Sequence, residues 1–285
     1  MTQARSIELE CGGRRLAALR WDTGRLPVLA LHGWMDNAMS FAPLARHLTG
    51  MDLVALDFPG HGESPPRPPG ARYYFDDYVF DVLAAADALG WRRFHLLGHS
   101  LGGAVATVLA AASPERVIRL AVIEALGPLT APPDQTTDCW RRAVTITPPG
   151  RRRTHPDRET AVAARVRRGD LPPESASVLA ERGLVRNDRG WQWRHDPRLI
   201  VPSAHRYTEA QVIDLLGGIE CPTLCVLSEP RSAVIASVPI APRLAAVRDL
   251  RWLEFAGGHH LHMHNAAAVA PVLRAHFEAH SSREH

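Results

Sequence analysis

The chain has 285 residues, 46% hydrophobic and 22% charged, an ordinary globular composition with material for one large domain or a domain carrying an insertion. Its net charge of +3 is too small for a nucleic-acid binder, and no apolar run is long enough to span a bilayer. All 33 basic residues are Arg, so Lys-based chemistry such as a Schiff base or a P-loop is excluded. The first residues lack a signal-peptide core, which makes the cytoplasm the expected location. Cys11, Cys139, Cys221 and Cys225 show no metal or redox spacing and read as free thiols.

In chain order, Ser6–Cys11 and Arg14–Trp21 flank Gly12-Gly13 and predict a β-hairpin. Short apolar runs then alternate with helical patterns. Val28–Leu31 predicts a strand, Phe41–Leu48 a helix, Leu53–Leu56 a strand and Tyr74–Leu89 a helix. A strand over Arg93–Leu97, a helix over Leu101–Ala112 and a strand over Ile118–Ile123 follow. Such alternation implies a mostly parallel sheet covered on both faces.

From about Gly127 to Tyr207 the pattern breaks into a Pro-, Arg- and Thr-rich stretch with helical pieces and no clear strand. Regular order returns with strands at Cys221–Leu227 and Leu250–Phe255 and helices at Ile240–Val247 and Ala266–Ala279. The expected organisation is a core of residues 1–126 and 208–285 with 127–207 inserted as a helical lid, in which Trp140, Trp191 and Trp193 find burial. The nine arginines between Arg141 and Arg168 read as a solvated face.

Gly98-His99-Ser100-Leu101-Gly102 is a G-x-S-x-G sequence standing between a predicted strand and a predicted helix. A turn that tight needs Gly98 and Gly102 free of Cβ atoms, and it lifts the Ser100 hydroxyl above the sheet edge at the positive end of the next helix. A serine hydroxyl needs a base, an acid to orient that base, and donors for the oxyanion. His259, in Gly257-Gly258-His259-His260-Leu261-His262-Met263-His264 after the last strand, is the expected base. Four His in six positions also raise a metal reading, which ranks lower because no matching carboxylate or Cys set accompanies them. No metal is expected. His32-Gly33-Trp34 follows the strand Val28–Leu31 and offers a backbone N–H, so the oxyanion hole is assigned to the Trp34 and Leu101 amides. His32 and His99 are expected to line the pocket.

His32-Gly33-Trp34, Asp57-x-Pro59-Gly60-His61-Gly62-x-Ser64, the Ser100 motif and Gly258-His259 together resemble the α/β-hydrolase superfamily over nearly the whole chain. Leu31–Asn37, Pro68-Pro69-Gly70, Asp87–Trp91, Ala125–Pro128 and Gly257–Met263 resemble the serine hydrolase-like family within it. The resemblance implies an eight-stranded, mostly parallel sheet and a Ser–His–acid hydrolase without a cofactor. The acid departs from the commonest pattern: the turn Ser228-Glu229-Pro230-Arg231 carries Arg where many relatives have Asp. Glu124, which closes the strand after the nucleophile helix, matches the position used by a subset of the superfamily and is the chosen acid, with Glu229 the alternative. The expected activity is hydrolysis of a small-molecule carboxylic ester, thioester or lactone. Cofactor-free C–C hydrolysis, perhydrolysis and non-catalytic ligand binding are the alternatives.

Overall fold

The computed structural model describes residues 3–169 and 171–279. A hairpin opens the chain: β1 (Arg5–Cys11) and β2 (Arg14–Asp22) turn at Gly12 and Gly13, both at positive φ. Next come β3 (Gly24–Leu31), β4 (Gly50–Leu56), β5 (Phe94–His99) and β6 (Val117–Ile123). The short β7 (Thr154–His155), β8 (Leu184–Asn187) and β9 (Gly190–Trp193) precede β10 (Thr223–Glu229) and β11 (Leu250–Ala256). Eight of these form one sheet in the order β1-β2-β4-β3-β5-β6-β10-β11. Strand β2 is antiparallel to β1 and β4, and the other pairs are parallel.

The helices are α1 (Ala42–Ala45), α2 (Phe75–Ala88), α3 (Leu101–Ala112), α4 (Thr136–Thr145), α5 (Arg158–Val166) and α6 (Pro173–Gly183), then α7 (Glu209–Gly217), α8 (Ala233–Ala236), α9 (Ile240–Ala246), α10 (Leu261–His264) and α11 (Ala266–Glu278). Side chains alternate across each strand, so a parallel sheet must be covered on both faces. In β3, Leu29 and Leu31 join a cluster with Val82 of α2, Val105 and Leu109 of α3 and Leu216 of α7. Val28 and Ala30 join another with Leu44 of α1 and Val269, Leu273 and Phe277 of α11. Each parallel strand ends at one sheet edge, where the loops carrying Ser100, Glu124 and His259 converge. No helix among the described residues is long and apolar enough to cross a membrane. The four cysteines are free and buried.

Three local expectations need correction. The helix predicted over Phe41–Leu48 is instead a 3-10 turn over Ala38–Phe41, capped by the Asn37 side chain, followed by the short α1. Pro43 explains the break, because proline fits only the first turn of an α-helix. Helix α7, missed by periodicity, begins in a capping box formed by Thr208 and Gln211. The stretch 127–207 is not purely helical, since β7, β9 and β8 make a small antiparallel sheet beside α4, α5 and α6. Strands of two and four residues are too short to show an alternation.

That sheet packs with α5 and α6 around a third cluster of Ala161, Val162, Leu179 and Leu184, joined by Met263 of α10. Trp191 and Trp193 are half-buried against it, whereas Trp140, expected inside, is 54% exposed. The chain enters and leaves this stretch side by side, through a parallel bridge between Thr130 and Tyr207.

Candidate active site

Ser100 occupies the turn between β5 and α3 at φ 51° and ψ −116°, a conformation rare for a residue with a side chain. The approach of strand and helix around it requires glycine. A Cβ on Gly98 would stand 2.5 Å from the Gly102 carbonyl oxygen, and one on Gly102 would overlap the Leu31 backbone. The turn is pinned by the Ser100 amide donating to the Ile123 carbonyl and the Gly102 amide donating to the His32 carbonyl, each at 3.0 Å.

His259 Nε2 lies 2.9 Å from Ser100 Oγ, and its Nδ1 lies 3.3 Å from Glu124 Oε2. The three residues come from the ends of β5, β6 and β11. Glu124 is fully buried and itself at positive φ, 54°. Its Oε1 accepts from the Ser228 amide at the end of β10. Burial alone would raise the Glu124 carboxyl, but hydrogen bonds from His259, Ser232 and the Ser228 amide hold it below the usual carboxylate range. Glu229, the alternative acid, is exposed at the tip of β10, while Arg231 turns outward to Glu254 and the ring of Trp252. Ser232 Oγ also stands 3.5 Å from His259 Nδ1, a contact that no pattern in the sequence singles out.

The His32 ring is fully buried and does not face an open pocket. Its Nε2 accepts from the Phe58 amide at 3.1 Å, so its proton is on Nδ1, which donates to the Gly33 carbonyl at 2.7 Å. The Gly33 carbonyl also accepts from the Asp36 amide. In a trans peptide C=O and N–H point opposite ways, so these two bonds aim the Trp34 N–H away from His32. Leu101 opens α3, among the first-turn N–H groups that helix geometry leaves without intrahelical partners. The Trp34 side chain is half exposed and donates to the Leu199 carbonyl at 3.2 Å.

His99 is likewise buried rather than pocket-lining, with its Nε2 donating to the His259 carbonyl at 2.8 Å. Around it lie His260, His262 and Asp36, all buried. Asp36 meets His260 Nε2 at 3.2 Å and Arg165 of α5 at 2.9 Å, so Arg165 does not belong to a solvated face. Asp57 accepts from the Ala38 and Glu63 amides and from Arg182 of α6 at 2.7 Å, with both members of that ion pair buried. None of these long-range pairings has a local sequence signal.

A family model described as the alpha/beta hydrolase fold matches residues 27–167. A serine hydrolase-like protein of Dictyostelium discoideum is 31% identical over 268 residues, covering 88% of this chain and 75% of its own. The crystal structure of a hypothetical protein from Pseudomonas aeruginosa PAO1 superposes with a TM-score of 0.89 at 40% identity, over 96% of this chain and 99% of that one. A thioesterase domain from the curacin biosynthetic pathway superposes with a TM-score of 0.79 at 26% identity, over 95% and 99% of the two chains.

Proposed function

The chain belongs to the serine hydrolase-like family of α/β-hydrolases, and we propose that it cleaves a small carboxylic ester or thioester through an acyl-enzyme on Ser100. The observation that carries this reading is the continuous chain Ser100 Oγ–His259–Glu124, with both imidazole nitrogens engaged at 2.9 and 3.3 Å. A neutral His259 with its proton on Nδ1, donated to Glu124, presents the Nε2 lone pair to the serine hydroxyl, as a general base must.

In the proposed sequence Ser100 Oγ attacks the acyl carbon while its proton passes to His259 Nε2. Glu124 stabilises the resulting imidazolium and stays ionised. The carbonyl oxygen, now an oxyanion, accepts from the Trp34 and Leu101 amides, a kind of donor worth roughly 10²–10³ in rate each. His259 returns the proton to the departing alcohol or thiol. It then takes one from water, whose oxygen attacks the acyl carbon, and the collapse releases the carboxylic acid and regenerates Ser100. Within this reading residues 127–207 act as a lid. Support comes from the Trp34–Leu199, Asn37–Leu179, Asp36–Arg165 and Asp57–Arg182 contacts, which seat that stretch on the loops around Ser100. The similarity to a thioesterase domain supports the thioester part of this reading.

Hydrolysis of a panel of p-nitrophenyl esters and acyl thioesters by wild type and Ser100→Ala tests the reading. Turnover of at least one class, reduced to background in the variant, is the expected result. No turnover of any panel member above the Ser100→Ala level counts against hydrolysis of these bonds.

A further inference from the structure

His99, Asp36 and His260 surround a buried point beneath the catalytic loops, and their geometry is that of a cation site. Each of His99, Asp36 and His260 offers one ligand atom, these atoms lie within 4.8 Å of one another, and all three residues are buried. Asp36 Oδ2 is 3.2 Å from His260 Nε2 and 3.7 Å from His99 Nδ1. Metal–ligand bonds of about 2.0–2.1 Å in a tetrahedral shell place donors about 3.3 Å apart, close to both spacings.

The state of His99 supplies the second observation. Its Nε2 donates to the His259 carbonyl, so in the neutral ring Nδ1 carries a lone pair. Among the described residues that atom, fully buried, finds no hydrogen-bond partner, and it faces Asp36 Oδ2, an acceptor engaged on its other side by His260 Nε2. Two acceptors face to face in a desolvated place repel, and a cation between them removes the repulsion. The surroundings follow the usual outer-shell pattern: a ligating imidazole donates its other N–H to a backbone carbonyl, and the second carboxylate oxygen is held, here by Arg165 at 2.9 Å. Gly33 keeps the space open, because a Cβ there would stand 2.8 Å from Asp36 Oδ2 and 2.9 Å from His99 Nδ1.

We propose that Asp36, His99 and His260 bind one divalent transition-metal ion, with Zn²⁺ as the probe. Two imidazoles and a carboxylate suit such ions rather than Mg²⁺ or Ca²⁺. From the sequence a metal ranks low because no matching carboxylate or Cys set accompanies the His cluster; the fold brings Asp36 to it from 224 residues away. The ion has a structural role here, tying the strand end before Ser100 to the loop after His259, and no catalytic step passes through it.

Chelator-treated full-length protein, titrated with ZnCl₂ by calorimetry and followed by thermal melting, tests the site. One equivalent bound with a raised Tm is expected, weakened by at least about 100-fold in both Asp36→Asn and His260→Ala, and retained in His264→Ala. Should the variants not fold, Co²⁺ added to wild type must give the d–d absorption of a nitrogen- and oxygen-ligated site at one equivalent. Wild type that binds neither ion, or folded variants that bind as wild type does, would overturn the proposal.

Discussion

Ser100 and Glu124 both sit at positive φ, at the ends of adjacent parallel strands, and both strained residues face His259. Such conformations cost about 1–3 kcal/mol each and persist where surrounding structure enforces them. For Glu124 the enforcement is its bond from Ser228 and its burial. Replacement by Gln keeps the shape but removes the charge that, in the proposed reaction, stabilises the imidazolium and selects its tautomer. Glu124→Gln is therefore expected to lower kcat by up to about 10⁴, with Glu229→Gln near wild type, in steady-state assays on a substrate the wild type turns over. The reverse order would transfer the acid role to Glu229. Gly102→Ala should lose most soluble, folded protein by circular dichroism, because the added carbon overlaps Leu31. At this scale much is legible in the sequence: Gly98 and Gly102 flank a serine at a strand–helix junction, and Glu124 closes a strand. Ser232 is not, because a common residue 132 positions from Ser100 has no local pattern pointing to His259. The expected pocket roles of His32 and His99 overlooked that a ring beside a strand end can bond backward to backbone.

Helix α6 shows how the stretch between β6 and α7 is held. Arg182 enters the core and shares Asp57 with two backbone amides, and it also reaches Glu63 at 2.7 Å. Removing one member of a buried ion pair leaves the other charge uncompensated, at a cost of about 3–5 kcal/mol. Arg182→Met should show that loss in urea unfolding, and Asp57→Asn with Arg182→Met should recover part of it; a loss below about 1 kcal/mol would mean that water replaces the guanidinium. The main-sheet elements were readable because each parallel strand is a short apolar run bounded by turns. The small sheet of β7, β8 and β9 was not, since its order comes from packing on α5 and α6 and not from its own pattern. Trp140 illustrates the same gap. An aromatic in a helix predicts burial only when a partner face is available, and α4 leaves it exposed.

The molecule holds several neutral histidines at buried or half-buried positions, His61 and His95 among the first and His195 and His276 among the second. Burial lowers His95 to about 3, with Arg119 and His276 adding to it, and lowers His195 and His276 to about 4. His61 falls well below its ordinary value for the same reason. In the unfolded chain these rings take up protons near pH 6.5, whereas the folded protein resists until much lower pH. Below pH 6.5 the unfolded state therefore binds more protons, and stability falls with pH through the window down to about 4. Urea midpoints measured from pH 7.5 to 4.5 should decline below 6.5, with a smaller decline in His276→Gln, which removes one titrating ring; a flat profile would mean that these rings protonate in place.

The central claim is that Ser100 is activated by His259, and reaction with a fluorophosphonate probe tests it most directly, because the probe needs no knowledge of the substrate. The account predicts rapid stoichiometric labelling mapped to Ser100, abolished in Ser100→Ala and slowed by orders of magnitude in His259→Ala. Folded wild-type protein that stays unlabelled, or that labels equally fast without His259, would contradict it.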